Sequence, residues 1–300
     1  MGSVDEHDED QASGDRWPAP RPRFSIVIPA FNEEDYLAAC LRSLAAQDFA
    51  GGVEIIVVDN NSSDQTAAVA RSLGAVVVHE RRPGVCSARQ RGTSIARGEI
   101  VVSTDADTVF HRGWLSDIDR AFQRHPGCVA VGGPCRFTAG RPWWAVVYPQ
   151  LLFGAVAAVH RLTGRVVYVT ATNIAFRREA WSFYDTQLTQ GGDELDLLRR
   201  LRRRGRVVFD RHNPTFTSPR RLQRGLAYNL VVTFLGYYLL GYAINRIARR
   251  PVLGTAPAFR LSRRWSPLTA WAGRLVLASA MLAAGLVLLR GGIYLAALIW

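Results

Sequence analysis

The sequence contains no lysine. All 37 of its basic side chains are arginine, set against 25 acidic ones, for a formal net charge of +12 over 300 residues. That uniformity reflects GC-rich coding as much as chemistry, yet the excess charge still needs a partner. Nucleic acid, anionic lipid and phosphorylated substrates are the candidates. None of the common nucleic-acid modules is present, and nucleic acid is not expected as a partner. Arginines cluster at 199–206, 220–224, 246–250 and 260–264, the last two beside apolar stretches, which favours a membrane surface. Cysteine is scarce too. Cys40, Cys86, Cys128 and Cys135 form no CxxC pair, and no His stands near them at zinc-ligand spacing. Zinc sites of the usual kinds are thereby excluded, leaving buried, reduced thiols in a cytosolic domain. The opening also lacks a basic region followed by an apolar run, since residues 1–16 are acidic, so no signal peptide is expected.

What is present is organised in three parts. Residues 1–22, acidic and then rich in proline, read as a disordered spacer. From Phe24 onward, short apolar runs alternate with helical patterns: 24–28 then 33–47, 53–58 then 64–73, 75–78 then 85–97, 100–103 then 112–125. Such alternation predicts an α/β domain with a mostly parallel sheet covered on both faces, spanning 23–218. Strands are further expected at 129–133, 165–170 and 207–209, with a helix over 193–204 ending at Gly205 as its C-cap. The aromatic, apolar segment 143–161 reads equally as a core helix or as one lying in a membrane interface.

Ligands of such sheets bind beyond the carboxyl ends of the strands. Polar residues collect there: Asn32 and Glu33 after the first run, Asp59, Asn60, Asn61 and Asp64 after the second, Asp105 and Asp107 after the fourth. Two carboxylates two residues apart at a strand end can share one divalent cation, Mg²⁺ or Mn²⁺, and the diphosphate bound to it. Asp64 precedes a helical run and reads as its N-cap.

Three segments carry a resemblance. Ser25-Ile-Val-Ile-Pro-Ala-Phe-Asn-Glu-Glu, Glu54-Ile-Ile-Val-Val-Asp-Asn-Asn-Ser-Ser-Asp and Thr104-Asp-Ala-Asp resemble, in order and spacing, the family 2 inverting glycosyltransferases of the GT-A fold. The resemblance covers roughly 24–218. It implies that Pro29, Ala30 and Glu33 line a nucleotide pocket and that Asp59 hydrogen-bonds the donor's base. It further implies that Asp105 faces ribose and sugar, and that Asp107 is the principal metal ligand. Arg89, in a segment where the family commonly carries Asn at or near Gln90, is the expected donor contact. Thr172 and Asn173 fall in the small-polar loop on the acceptor side. Gly191-Gly192-Asp193-Glu194 is similar to the family's Glu-Asp signature with the acids swapped. An inverting transfer needs one carboxylate to take the acceptor's proton, and the register favours Glu194, with Asp193 the alternative. Asp196 reads as a partner of the arginines on its own helix. Arg220 and Arg221 could close over the donor diphosphate. The Gln-x-x-Arg-Trp signature of processive members is missing, so transfer of a single sugar from a UDP- or GDP-sugar is expected.

Residues 219–300 read as a membrane-associated helical region. The stretch 225–244 is uncharged and long enough to span. Arginines flank it on both sides, and Asn229, Thr233 and Tyr237 form a polar stripe, so an interfacial or re-entrant helix fits better. The stretch 268–289 is the better transmembrane candidate, and a soluble core hairpin is the alternative for both. The expected location is the cell membrane with the catalytic domain cytoplasmic, and the expected acceptor is a lipid or glycan. Two other readings compete. A nucleotidyltransferase would carry a Gly-rich phosphate loop where Pro29-Ala30-Phe31-Asn32-Glu33 stands. A non-catalytic membrane-bound nucleotide-sugar binder would not need Asp105, Asp107 and the acids at 193–194.

Overall fold

The computed structural model describes residues 21–138, 143–186, 193–220 and 244. The opening through residue 20, Arg221, most of 225–244 and all of 268–289 lie outside them. The strands are β1 (Phe24–Ala30), β2 (Val53–Asp59), β3 (Val76–His79), β4 (Ile100–Ser103), β5 (Thr108–Val109), β6 (Cys128–Gly132), β7 (Cys135–Phe137), β8 (Ile174–Arg177), β9 (Arg206–Phe209) and β10 (Thr215–Thr217). The helices are α1 (Glu34–Ala45), α2 (Thr66–Ser72), α3 (Val85–Ile95), α4 (Trp114–Arg124), α5 (Trp144–Thr163) and α6 (Asp193–Arg204).

The main sheet has the order β3-β2-β1-β4-β8-β6-β9. Its strands run parallel except β8, which is antiparallel to both neighbours. A smaller sheet, β5-β10-β7, stands beside it. The near-continuous apolar runs of β1, β2 and β4 follow from burial on both faces. Successive residues point to opposite sides, so Phe24, Ile26 and Ile28 join one core with Leu37, Leu41, Trp114 and Phe122. Val27, Ile56, Val58 and Val101 join the other, with Ala88, Phe153, Leu197 and Leu201. Helices α1, α2 and α4 therefore cover one face, and α3, α5 and α6 the other. Helix α3 lies close against the sheet because Gly92 has no side chain. A Cβ there would stand 2.5 Å from Val27 Cγ1 and 2.8 Å from Val58 Cγ2.

The structure differs from expectation at two places on this frame. Residues 165–170 are irregular chain and not a strand. Val166 and Val169 are buried against the second core, but the slot between β4 and β6 is filled by β8. Gly205 follows α6 without a left-handed φ; it is glycine because a Cβ would meet Val129 Cγ1 at 2.6 Å. The left-handed cap belongs instead to Gly164 (φ 70°), at the end of α5. Helix α5 packs through Ala145, Pro149, Phe153 and Val156 and leaves its other side exposed.

Candidate active site

The sheet's connections reverse between β1 and β4, which opens a crevice at their carboxyl ends. The β1–β4 ladder stops at Val27↔Ser103, whereas β1–β2 runs on to Ala30↔Asp59. Pro29 and Ala30 thus stand beyond the end of β4, at the mouth of the crevice. The turns that follow use Asn32 (φ 52°) and Asn61 (φ 69°) in the left-handed region, which Asn tolerates better than most side chains. These turns are tied together. Asn32 Oδ1 accepts from Ser63 N–H at 2.8 Å, and Ser62 Oγ accepts from Asn32 N–H at 2.9 Å. Asp64 accepts the N–H of Thr66 at 3.0 Å and that of Glu34 at 3.3 Å, serving the starts of α2 and α1 together. Buried Asn60 donates to the carbonyls of Glu80 and Arg82, both at 2.8 Å, and accepts from Gly84 N–H, pinning the turn before α3.

Asp59 closes β2 with its carboxylate buried. Oδ1 accepts from Ser62 N–H at 3.1 Å and Oδ2 lies 3.0 Å from His79 Nδ1. Arg89, the expected donor contact, turns its guanidinium to two acids. It is buried, with one nitrogen on Asp193 Oδ2 and the other 2.7 Å from Asp105 Oδ1. One side chain on α3 thereby joins the acid after β4 to the acid that opens α6. Arg220 makes a second bridge. It grips Glu33 with two bonds of 2.8 and 2.7 Å, reaches Asp107 Oδ2 at 2.9 Å and lies over the Tyr36 ring. Thr217 Oγ1 also donates to Asp107 at 3.1 Å.

Asp193 and Glu194 are both buried in the first turn of α6. Burial pushes both carboxyl groups upward, but the outcomes diverge. For Asp193 the adjacent Arg89 charge and a hydrogen bond with Glu194 outweigh burial and hold it below the usual carboxylate range. For Glu194 burial is joined by the Asp193 charge, and it is raised well above that range. The pair therefore holds one ionised and one protonatable carboxyl group side by side. Asp196 pairs with Arg200 at 2.7 Å, along its own helix.

In the loop before β8, expected to face the acceptor, the Thr172 carbonyl accepts from Thr104 Oγ1 at 3.0 Å. Asn173 does not present its amide to the crevice. Its Oδ1 accepts from Trp114 Nε1 at 3.1 Å, and its Nδ2 donates to Pro134 O at 3.0 Å and Asn213 O at 2.8 Å. Asn213 and Trp114 carry no motif that would have marked them. Gln90 fastens α3 to the segment after β8 by accepting from Tyr184 N–H at 2.8 Å. Tyr36 and Thr217 likewise join the site only through the fold.

The donor chemistry here suits a divalent cation. A guanidinium already lies among the carboxylate oxygens of Glu33 and Asp107, hard oxygen ligands of the kind Mg²⁺ and Mn²⁺ prefer. Among the described residues no group of three or more His, Cys, Asp or Glu side chains could hold an ion alone. An ion at Asp107 and Asp105 would complete its shell from phosphate and water.

With this arrangement in view, comparison with known proteins is direct. The mannosyltransferase PcManGT of Pyrobaculum calidifontis, solved with GDP-Man and Mn²⁺, matches with a TM-score of 0.60 at 22% identity, over 90% of this chain and 81% of that one. TarS 1–349 of Staphylococcus aureus, solved with UDP, matches with a TM-score of 0.55 at 23% identity, over 66% of this chain and 61% of that one. The fold is GT-A, and the protein is a glycosyltransferase. The model for glycosyl transferase family 2 matches residues 25–183, and the chain belongs to that family. An uncharacterized glycosyltransferase of Mycobacterium tuberculosis (strain ATCC 25618 / H37Rv) is 36% identical over 187 residues, 61% of this chain and 81% of the relative. The nucleotidyltransferase reading gives way to these matches.

Proposed function

We propose that this glycosyltransferase moves a single sugar, with inversion, from a UDP- or GDP-sugar to an acceptor hydroxyl or a lipid phosphate at a membrane, and that it depends on Mg²⁺ or Mn²⁺. The observation that carries the reading is the link through Arg89, which sets the acids of α6 beside the acid after β4. Pro29, Ala30, Glu33 and Asp59 would line the nucleotide pocket; Asp59 keeps acceptor capacity toward a base N–H beyond its bonds to Ser62 and His79. Asp107, with Asp105, would hold the divalent ion, which when bound offsets the charge of the departing diphosphate. Arg220 and Arg221 would turn to that diphosphate. The acceptor oxygen attacks the anomeric carbon as the bond to the diphosphate breaks. The electron pair leaves with the nucleotide and the hydroxyl proton passes to Glu194. Asp193, fixed by Arg89, orients Glu194 and raises its basicity. Thr172 lines the acceptor side and Asn173 holds that loop in place. The donors in the two solved neighbours' complexes, GDP-Man with Mn²⁺ and UDP, accord with this donor class.

The region 219–300, with its uncharged stretches and flanking arginines, would hold the enzyme at the cell membrane with the catalytic domain cytoplasmic, which suits a lipid-borne acceptor. The test is nucleotide release by the full chain in detergent, with a panel of UDP-, GDP- and dTDP-sugars, with and without Mn²⁺. Metal-dependent release of one nucleotide, lost in Asp107→Ala and, with a hydroxyl acceptor, in Glu194→Ala, is the expected result. Metal-dependent nucleotide binding without release, whatever acceptor is supplied, would instead favour the non-catalytic binder. If neither metal nor nucleotide binds, the proposal fails.

A further inference from the structure

Helix α5 is predominantly apolar up to Val159, with Gln150 its one exposed polar side chain in that stretch. From Trp143 to Val159 it carries no charge, and among the described residues it is the one helix long and apolar enough to cross a membrane. It does not cross one, because Ala145, Pro149, Phe153 and Val156 pack into the domain. The opposite side is a stripe of apolar residues at helical spacing. Trp143 is 77% exposed, Leu151 69% and Leu162 83%, with Val147 exposed between them. A helix with no polar face is expected to be buried, so this stripe lacks its cover.

Charge identifies the cover. His160, at the end of α5, lies within electrostatic reach of Arg206, and α5 and α6 both pack on β9. Exposed Arg161 and Arg165 therefore share one end of the stripe with the last turn of α6, Arg202, Arg203 and Arg204, and with Arg206. A second copy packed parallel along α5 would bring a like cluster against this one, and an antiparallel copy would leave both clusters without a counter-charge. The chain's own run at 225–244 is flanked by arginines at 220, 221, 224, 246, 249 and 250, and laid along α5 it would meet the same repulsion. Position points the same way. Helix α5 packs on β7, β7 pairs with β10, and β10 is where the chain leaves the domain toward its 80 further residues after Arg220.

We infer that the outer face of α5, with the arginine cluster at its end, is a docking surface for an anionic lipid bilayer. The helix lies in the plane of the interface, its stripe among the upper acyl chains and the arginines among the headgroups. Trp143 suits such a level by its amphipathic ring. The chain runs from α5 through Gly164 and Val169 directly into Thr170–Asn173, whose Thr172 carbonyl accepts from Thr104 beside Asp105. Docking by α5 thus brings the acceptor loop to the bilayer surface, where a lipid-borne acceptor would present its head.

The inference rests on the membrane reading above, and one experiment separates the two. Leu151→Cys in the full chain is labelled with an environment-sensitive fluorophore, with Ser72→Cys on the opposite face of the sheet as control. The unsubstituted chain, whose thiols are buried or half-buried, gives the labelling background. Each protein is mixed with phosphatidylcholine vesicles with or without phosphatidylglycerol, with a quencher on the acyl chains, and bound protein is separated by flotation. The label at 151 is expected to lose about half its emission or more, since the stripe would sit ~5–10 Å below the headgroups. The label at 72 should be unaffected, and Arg203→Glu with Arg204→Glu should weaken quenching at 151. If the chain floats but the label at 151 is not quenched, the inference is overturned and the membrane reading stands. Failure to float overturns both. Cross-linking of two chains through Cys at 151, without lipid, would overturn it in favour of self-association.

Discussion

At the residue scale, the adjacent acids of α6 are set apart by what surrounds them. Asp193 faces Arg89 and stays ionised, while Glu194 takes the burial and the neighbouring charge and is raised. A base works only when deprotonated. As the proposed base, Glu194 should make kcat/KM climb with pH through an ionisation well above the usual carboxylate range and level off beyond it. Asp193, already ionised there, adds no second limb. Glu194→Gln is expected to remove that limb and to cost about 10²–10⁴-fold with a hydroxyl acceptor. A phosphate acceptor has no such proton to lose and should suffer much less, so the size of the loss also sorts the acceptor classes. A flat profile across neutral pH in the parent enzyme would assign the proton elsewhere. Arg89 is expected to act by position. Arg89→Lys cannot reach both Asp105 and Asp193 as the planar fork does, so it should lower kcat more than it raises the donor KM. It should also shift the pH limb, which loss of a mere structural contact would not do.

At the element scale, much of the frame was legible in sequence. The alternation of apolar runs and helical patterns from Phe24 to Arg124 reports β1 to α4, all but the two-residue β5, because β1 and β4 are buried on both faces and each helix on one, while β3 at the sheet edge is partly exposed yet keeps its apolar run. Legibility failed where long-range pairing decides. Val166 and Val169 look like strand residues but fill a bridge into the second core, and β8 takes the slot. The acids after β1, β2 and β4 were legible because a parallel sheet lines up its strand ends. The ion pairs of Arg89 were not legible, since its partners lie 16 and 104 residues away. The partners of Asn173 were hidden for a similar reason: Trp114 and Asn213, which engage its amide, come from distant elements. The seating of α3 on the sheet through Gly92 gives a prediction at this scale. Gly92→Ala forces a methyl into Val27 and Val58 and should lower stability by about 1–3 kcal/mol. Because α3 carries Arg89, activity should fall further than the lost folded fraction explains; denaturant unfolding beside a donor-release assay would show it.

At the scale of the whole molecule, the site is closed by a contact between its two ends. Arg220, where the described domain finishes, returns to Glu33 after the first strand, 187 residues back, and to Asp107 between them. The same guanidinium that fastens the chain's exit also stands where the proposed divalent ion would bind, so fold closure and the proposed metal binding would draw on one set of oxygens. Removing it should affect both. Arg220→Ala takes the guanidinium from largely buried Glu33 and Asp107, a loss expected to cost about 3 kcal/mol or more. For a domain of this size that is roughly 6–12 °C in Tm. Mn²⁺ should restore more of the Tm in the variant than it adds to the parent, because it would no longer compete with the Arg220 guanidinium for Asp107. The affinity for a nucleoside diphosphate should move the other way, weakened by loss of a phosphate contact. Calorimetry on both proteins, with Mn²⁺ alone and with UDP or GDP added, separates these effects. An equal Mn²⁺ response in the two would mean that Arg220 and the metal do not share Asp107, and would leave Arg220 as a fastener of the chain and nothing more.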